Sequence, residues 1–337
     1  MYISLLLDTE DLIAPEADDV AMWCADILHE ERAPATFCVV GENARLLKSR
    51  KRSDVIASLT RHDIGLHSDQ HSVHPTIMEY LRDKGWDDGI AEVVRRESPG
   101  LASIREVFGK SPSTFAGPGA TWGPQIHAAM RQLGIPSVMY ALTAIPGGRN
   151  IHRFAGTRSY PRRDFTDMND GSYRNPVEWR TNFDINLKAL KAFQDAGYHW
   201  AGVFMGHPTH ILHENFWDFD NLAYGKTVPR AQWVPPKRIS DADLKVALAN
   251  FRTTARTLRN LPGIEIKAIA EMNAIYDRAS TAPVDRSGQE SVWERIHGDL
   301  AKISEWPILE KQFDFSKIAA TTRGQLHTLE TESLVAG

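Results

Sequence analysis

The chain has 337 residues, 42% of them hydrophobic, and its formal net charge is -4 at pH 7. This size and composition are typical of a globular protein with one large α/β barrel or two ordinary domains. No apolar run approaches the ~18 residues of a spanning helix, and the lack of long basic runs disfavours nucleic acid as a partner. The start at Met1 lacks signal-peptide features, so a cytoplasmic protein without a membrane partner is expected, with Cys24 and Cys38 reduced and buried.

Strand-like and helix-like segments alternate through the first part of the chain. Buried strands are predicted at residues 2–7, 35–41, 64–67, 113–116 and 137–142. Helices are predicted at residues 16–31, 44–59, 91–108 and 124–133, the second with a basic interruption and the third weakened at Pro99-Gly100. This alternation favours a parallel sheet with crossover helices.

Two longer stretches break the pattern. Residues 146–179 are rich in glycine, proline and polar residues, which predicts an ordered excursion over the surface. Residues 209–240 carry aromatic side chains between polar ones. Around these stretches, helices are predicted at 180–196, 241–258 and from 270, and strands at 199–205 and 263–269. Beyond residue 280, helix-prone segments such as 290–303 predict a helical appendage with disorder in its last dozen residues.

Reactive residues stand at the carboxyl ends of several of the predicted strands. This arrangement predicts one distorted, TIM-like parallel (β/α) barrel of about seven or eight strands over residues 1–278, followed by a C-terminal helical extension at 279–337. An open doubly wound sheet is the competing architecture. No glycine-rich phosphate loop follows the first strand, which disfavours nucleotide binding there.

Two histidines, His67 and His71, stand four residues apart directly after a short apolar strand. One helical turn at this spacing would place both imidazoles on the same side of the chain. Two imidazoles, one carboxylate and an open position form a catalytic zinc-type site. Glu10 shares a strand face with Asp8 and is favoured over Asp11 as the carboxylate. The alternative is a chance pair of histidines on a solvated turn.

Five segments, in order, resemble the polysaccharide deacetylase family, also called carbohydrate esterase family four, over roughly residues 3–278. They are the acidic segment 7–11, the strand 37–41, the His-Ser-x-x-His-Ser match at 65–72, and segments 115–122 and 204–208. The resemblance implies that Asp8 is the catalytic base, that a nearby acid binds metal, and that His207 is catalytic. Pro118 and Trp122 are predicted to bind substrate. The structural alternatives are a helix-capping Asp8 and a buried, hydrogen-bonded His207.

One position departs from the family pattern, because Ala116 stands where the family has an arginine that orients the catalytic aspartate. Either another cation replaces this arginine, with Arg149, Arg153 and Arg158 as candidates, or Asp8 has no cationic partner. In the second case the protein would be a weak catalyst or a binding protein.

The expected chemistry is metal-dependent removal of an acyl group from an amino sugar or a related small amide by attack of a metal-bound water. Acetyl is the favoured acyl group. Asp8 would accept the proton of that water, and His207 would protonate the leaving amine. A deformylase, a ring-opening amidohydrolase and a catalytically weakened carbohydrate-binding homologue are the alternatives. Zinc is the predicted ion, with cobalt, nickel or manganese as alternatives. The expected partner is a small-molecule or oligosaccharide substrate, and a homo-oligomer is left open.

Two features of the second interruption have competing interpretations. His207, His210 and His213 are spaced by three, which suggests a second metal site, although a solvated loop or a substrate-binding wall is favoured. The aromatic residues from Phe216 to Trp233 are predicted either to stack on sugar rings or to pack the segment onto the barrel.

Overall fold

The computed structural model describes residues 1–82, 84–119, 123–141, 151–161, 165–168, 170–278, 280–283 and 331–335. Its described strands form one 12-stranded sheet. They are β1 (Tyr2–Thr9), β2 (Ala35–Val39), β3 (Asp63–Leu66), β4 (Phe115–Ala116), β5 (Ser137–Ala141), β6 (His152–Phe154), β7 (Thr157–Pro161), β8 (Phe165–Asp167), β9 (Trp200–Gly206), β10 (Glu265–Ile266), β11 (Ser280–Pro283) and β12 (Thr331–Val335).

The described α-helices fill the connections between these strands. They are α1 (Ala17–Glu30), α2 (Gly41–Ser49), α3 (Ser53–Thr60), α4 (Ile77–Leu81), α5 (Trp86–Phe108), α6 (Gln125–Leu133), α7 (Pro176–Asp195), α8 (Pro208–Leu212), α9 (Asp241–Arg259) and α10 (Ile269–Tyr276). None of these helices combines the length and the apolar character that crossing a membrane requires.

The core of the sheet is parallel, as the alternation of strands and helices predicts. Its strands run in the order β7-β5-β4-β3-β2-β1-β9-β8, and each neighbouring pair is parallel. The described backbone ladder does not close, but aromatic side chains meet across the interior. Phe165 of β8 lies 5.0 Å from Tyr140 of β5, and Tyr160 of β7 lies 4.8 Å from Trp200 of β9, measured between ring centroids. The predicted distorted barrel is therefore confirmed.

Alternating residues of β1 face the two sides of this curled sheet. Leu5 and Leu7 pack in the large cluster shared with the outer helices, whereas Leu6 belongs to a second cluster inside the sheet. All three are fully buried, and burying each leucine contributes about 1.5–3 kcal/mol. Helix α10 covers the inner cluster with Ile269 and Met272. Because both faces are buried, β1 appears in the sequence as one continuous apolar run.

The surface excursion predicted for residues 146–179 is wrong. This stretch contributes β6, β7 and β8 to the sheet, with β6 and β7 paired antiparallel and β7 and β8 joined to the parallel core. These strands are three to five residues long, which is too short for a strand periodicity to stand out among glycine, proline and charged residues. Tertiary pairing, rather than local pattern, places them in the sheet.

The C-terminal prediction also needs correction. Where disorder was expected in the last dozen residues, β12 pairs antiparallel with both β11 and β6 and so extends the sheet. The predicted helix at 290–303 lies outside the described residues, and the domain boundary at 278 stays a prediction. The predicted helix 44–59 is two helices, α2 and α3, separated at the basic residues 50–52. Cys24 and Cys38 are buried thiols, as predicted.

Candidate metal centre

Five predicted site residues lie together at the carboxyl edge of the parallel sheet. Asp8 is near the end of β1, Glu10 follows that strand, and His207 follows β9. His67 comes directly after β3, and His71 lies in the loop beyond it. Because neighbouring parallel strands end at the same edge, residues from three distant parts of the chain meet there.

The carboxylate of Glu10 stands at the centre of this group. Its Oε2 atom lies 2.9 Å from Nε2 of His71, 3.4 Å from Nε2 of His67 and 3.9 Å from Nε2 of His207. Oδ2 of Asp8 lies 3.7 Å from Nε2 of His67 and 4.0 Å from Nε2 of His207. The ligand atoms that Glu10, His67 and His71 offer all lie within 4.8 Å of one another.

These three side chains fit a divalent transition-metal ion. Two neutral imidazoles and one carboxylate are a donor set that zinc and related first-row ions accept. Oε2 of Glu10 is buried, and none of the described residues makes a hydrogen bond of good geometry to it. A buried carboxylate oxygen without such a bond is costly unless another partner completes its environment. An ion held by Glu10, His67 and His71 would supply that partner.

The imidazoles of His67 and His71 are each held through Nδ1, the ring nitrogen that does not face Glu10. Nδ1 of His67 lies 2.9 Å from the carbonyl oxygen of Ala116. Because a carbonyl only accepts, Nδ1 of His67 carries a proton, and in the neutral imidazole Nε2 then has its lone pair towards Glu10. Nδ1 of His71 lies 2.9 Å from the hydroxyl oxygen of Ser72. The side chain of Ala116 cannot replace an arginine, but its backbone orients a predicted ligand.

The helical turn predicted to align His67 with His71 is wrong. Residues 67–71 form an irregular loop in which Ser68 and His71 adopt left-handed backbone conformations, with φ of 58° and 54°. Such conformations cost about 1–3 kcal/mol each. The backbone N–H of His71 donates to the hydroxyl of Ser68 at 2.8 Å. Two carbonyls of the loop also accept bonds of 2.9 Å from the first two amides of α2.

A close approach of two helices supports this loop from below. A Cβ atom on Gly41, the first residue of α2, would lie 2.4 Å from Cα of Gly100 in α5 and 2.6 Å from Oδ1 of Asp69. The backbone N–H of Asp69 donates to Glu97 at 2.8 Å, and Arg45 donates to its carboxylate at 2.7 Å. Gly100, predicted as a weak point of its helix, instead lets the continuous α5 pack against the loop 67–71.

Burial and charge shift the pKa values of the site in different directions. Burial raises the pKa of Asp8 and outweighs the opposing charges of His67 and His207. Burial also disfavours ionised Glu10, but His71 and His207 outweigh it and hold the pKa of Glu10 well below its usual range. Burial lowers the pKa of His71, and the charge of Glu10 more than offsets this, so the pKa of His71 is raised.

The alternative ligand Asp11 is already occupied by structural hydrogen bonds. Its Oδ1 atom accepts from the backbone N–H groups of Ile13 and Ala14, both at 2.8 Å. Its Oδ2 atom accepts from the hydroxyl of Thr209 at 2.6 Å. Asp11 therefore ties the end of β1 to α8, while Glu10 points into the imidazole cluster.

The family comparison agrees with the predicted resemblance. Residues 13–138 match the family model described as polysaccharide deacetylase. This part of the chain is therefore similar to the polysaccharide deacetylase family. The matched segment contains His67 and His71, whereas Asp8, Glu10 and His207 lie outside it. No sequence among the curated proteins matches the chain.

Solved structures extend the similarity beyond the matched segment. A Mycobacterium smegmatis protein whose name assigns it to the polysaccharide deacetylases is 13% identical, with a TM-score of 0.50, over 81% of this chain and 88% of that one. A 4-alpha-glucanotransferase from Thermococcus litoralis is 10% identical, with a TM-score of 0.51, over 81% of this chain and 40% of that one. At these identities the likeness shows the fold alone, and the second protein's name shows that this fold also serves other chemistry.

The predicted replacements for the deacetylase family's missing arginine are wrong where the structure describes them. Arg158 is buried and donates to Asn273 at 2.8 Å and to Asp277. Arg153 lies 3.4 Å from the same Asp277. Both guanidinium groups are therefore engaged near α10 instead of near Asp8. Among the described residues, the ion-pair partners of Asp8 are two histidines.

The roles of three further residues stay predictions. Arg149 and Trp122 lie outside the described residues, so their roles stay predictions. Pro118 is buried two residues beyond β4, and its contact with substrate stays a prediction.

Within the described part of the chain, the three evenly spaced histidines do not form the second metal site that their spacing suggests. Only His207 approaches Glu10. The ring of His210 packs against that of Phe216 at 4.6 Å. Fully buried His213 has its Nδ1 atom 3.1 Å from the hydroxyl of Thr209. The three imidazoles thus lie in three different environments.

Among the described aromatic side chains of the second interruption, Trp217 packs into the fold whereas Phe219 is exposed, so the choice between packing and sugar stacking stays a prediction for the group. Trp217 is 1% exposed, stands edge-on to His71 at 5.5 Å and lies 6.0 Å from Trp233. The next residue, Asp218, accepts a hydrogen bond of 2.5 Å from Ser72. Sequence reasoning missed Asp218 because it is 146 residues from Ser72 and belongs to no recognisable motif.

Proposed function

We propose that the chain is a metal-dependent hydrolase that removes an acyl group from an amino sugar or a related small amide. Acetyl is the first candidate for this group. The convergence of Glu10, His67 and His71 beside Asp8 and His207 carries this proposal. The polysaccharide deacetylase match supports the reaction class. A divalent ion bound there would lower the pKa of water and polarise the carbonyl of the substrate.

Asp8 is suited to accept the proton of an attacking water. One of its oxygens faces the imidazoles of His67 and His207, and the other, Oδ1, makes no hydrogen bond of good geometry with the described residues. Burial raises the pKa of Asp8, which increases its proton affinity as long as no ion is bound. A general base gains efficiency as its pKa approaches the working pH.

His207 is suited to protonate the leaving amine. Its side chain is 17% exposed, whereas those of Asp8, Glu10, His67 and His71 are at most 7% exposed. Because His207 is the most exposed of these five side chains, we expect substrate to approach the cluster from its side. The ring lies edge-on to Phe204 at 4.9 Å and to Phe216 at 4.7 Å. These contacts orient the imidazole and leave its Nε2 atom towards the carboxylates.

Zinc is the proposed ion because two histidines, one carboxylate and an open position are the ligand set of many catalytic zinc sites. Cobalt, nickel and manganese use similar donors. The proposed substrate is a small molecule or an oligosaccharide. The cytoplasmic location and a homo-oligomeric state stay predictions.

A catalytically weakened carbohydrate-binding homologue is the second candidate. The observation that favours it is Ala116 together with the histidine-only ion pairing of Asp8 among the described residues. A deformylase or a ring-opening amidohydrolase would use the same residues on a different C–N bond.

A substrate panel tests this proposal. Metal-loaded protein is incubated with N-acetylated sugars, N-formylated sugars and cyclic amides, and released acetate, formate or ring-opened product is measured. Turnover of one class is expected, with a loss of about 10²–10⁴-fold in Asp8→Asn. Exposed Asp220→Asn is the matched control and should retain full turnover. Sugar binding without turnover would favour the binding-protein alternative. The absence of both binding and turnover would contradict the proposal.

A further inference from the structure

A hydrogen-bonded chain connects His71 to the segment 213–240, here called the covering segment. Nδ1 of His71 lies 2.9 Å from Oγ of Ser72, and Ser72 donates to Oδ2 of Asp218 at 2.5 Å. The Asp218 side chain is only 17% exposed. Asp218 comes from outside the matched family segment. Among the described residues, it makes no hydrogen bond to Glu10 or His67.

The covering segment holds Asp218 firmly at this position. Buried Asn221 donates to the carbonyl oxygens of Trp217 and Val234 at 3.2 and 2.9 Å, and its own side-chain oxygen accepts from the N–H of Val234. Arg230 makes a two-bonded ion pair with Glu42, the second residue of α2. Asp218 is therefore anchored both within its own segment and to the helix that supports the loop 67–71.

The direction of the chain follows from what an ion requires. A histidine that binds a metal through Nε2 must carry its proton on Nδ1. Nδ1–H of His71 then donates to Ser72, whose hydroxyl proton must go to an acceptor. The carboxylate of Asp218 is that acceptor, since an ionised carboxylate only accepts. Such partners fix the tautomer and the ring orientation of metal-binding histidines.

We propose that Asp218 is a positioning residue that acts through Ser72 to hold His71 in its metal-binding tautomer and orientation. The covering segment thereby contributes to metal affinity without providing a ligand. This inference rests on the metal site of the proposed function. It assigns a task to a segment whose aromatic residues alone suggest packing or sugar binding.

A double-mutant cycle on zinc affinity tests the inference. Apo protein is titrated with zinc against a chromophoric chelator, for the parent, Asp218→Ala, Ser72→Ala and the double variant. Each single change should weaken zinc binding about 10–100-fold. The double variant should bind about as weakly as either single variant, because both changes break the same chain. Asp218→Asn, which keeps an acceptor oxygen, should recover part of the affinity.

The control variant is Asp220→Ala, whose carboxylate is 55% exposed in the same segment and lies 3.9 Å from Lys226. It should bind zinc like the parent. Thermal unfolding of the apo proteins separates positioning from stability, because a merely structural Asp218 would lower the melting temperature without coupling to Ser72. Parent-like zinc affinity in Asp218→Ala, or independent effects of the two changes, would overturn this inference alone. A parent that binds no zinc would overturn the proposed metal site and this inference with it.

Discussion

Replacing Gly41 by alanine should disturb the loop 67–71, which carries two of the proposed metal ligands, without touching either of them. The added Cβ would lie 2.4 Å from Cα of Gly100, 2.6 Å from Oδ1 of Asp69 and 3.3 Å from Cα of Asp69. The nearest of these atoms is backbone, so α5 must retreat by about 1 Å before ordinary contact is restored. The backbone N–H of Gly41 donates to the carbonyl oxygen of Ser68 in this loop. Any displacement of α2 would therefore move the loop as well.

Overpacking of this kind costs about 1–3 kcal/mol, and the higher helix propensity of alanine offsets up to about 1 kcal/mol of it. We therefore expect Gly41→Ala to lower the free energy of unfolding by about 1–2 kcal/mol. Displacement of the loop that carries His71 should also weaken zinc binding by about tenfold or more.

Urea unfolding and zinc titration measure the two effects. Gly85→Ala is the matched control, because a Cβ at Gly85 meets nothing within 4 Å. Gly85 precedes the first turn of α5, so its replacement should cost at most about 1 kcal/mol and leave zinc affinity unchanged. If Gly41→Ala matches Gly85→Ala in both measurements, the helix contact does not support the site.

Three further changes probe burial, pairing and catalysis. Burial raises the pKa of Glu97 from 4.5 to about 8. Between these pH values the folded protein keeps this proton and the unfolded chain loses it. The parent should therefore lose roughly 3–5 kcal/mol of its free energy of unfolding as the pH rises through this range. Glu97→Gln should flatten this loss in urea unfolding at pH 5 and pH 8, and an unchanged pH dependence would refute it. Arg158→Met should destabilise the fold by about 2–3 kcal/mol without a selective fall in kcat, and a selective fall would show that Arg158 serves the reaction. His207→Gln should lower kcat by about 10²–10⁴-fold with metal content unchanged, and loss of the metal would instead make His207 a ligand.

The parts of the site that could be predicted are those encoded locally. Asp8, His67 and His207 each stand at or just beyond the end of an apolar run, so placing the strands also placed the residues at one edge of the barrel. The two-residue spacing of Asp8 and Glu10 likewise put both on one side of the chain. The convergence of His67 and His71 was predicted for a wrong reason, because a loop with two left-handed residues produces it.

The parts that could not be predicted depend on contacts between distant residues. Arg158 and Asp277 are 119 positions apart, and nothing in the sequence near either shows that they pair. The strands β6, β7 and β8 are too short to show a period, and only the edges of the existing sheet select them. Asp218 reaches Ser72 through the folding of the covering segment. Side-chain chemistry can be read along the chain, whereas pairing across the chain requires the structure.

The most direct test of the metal centre is the metal content of the purified protein. Elemental analysis should find about one divalent first-row ion per chain in the parent and almost none in the double variant His67→Ala with His71→Ala. His210→Ala, a nearby histidine that packs on Phe216, is the control and should keep its ion. Equal metal occupancy in the parent and the double variant would contradict the site formed by Glu10, His67 and His71.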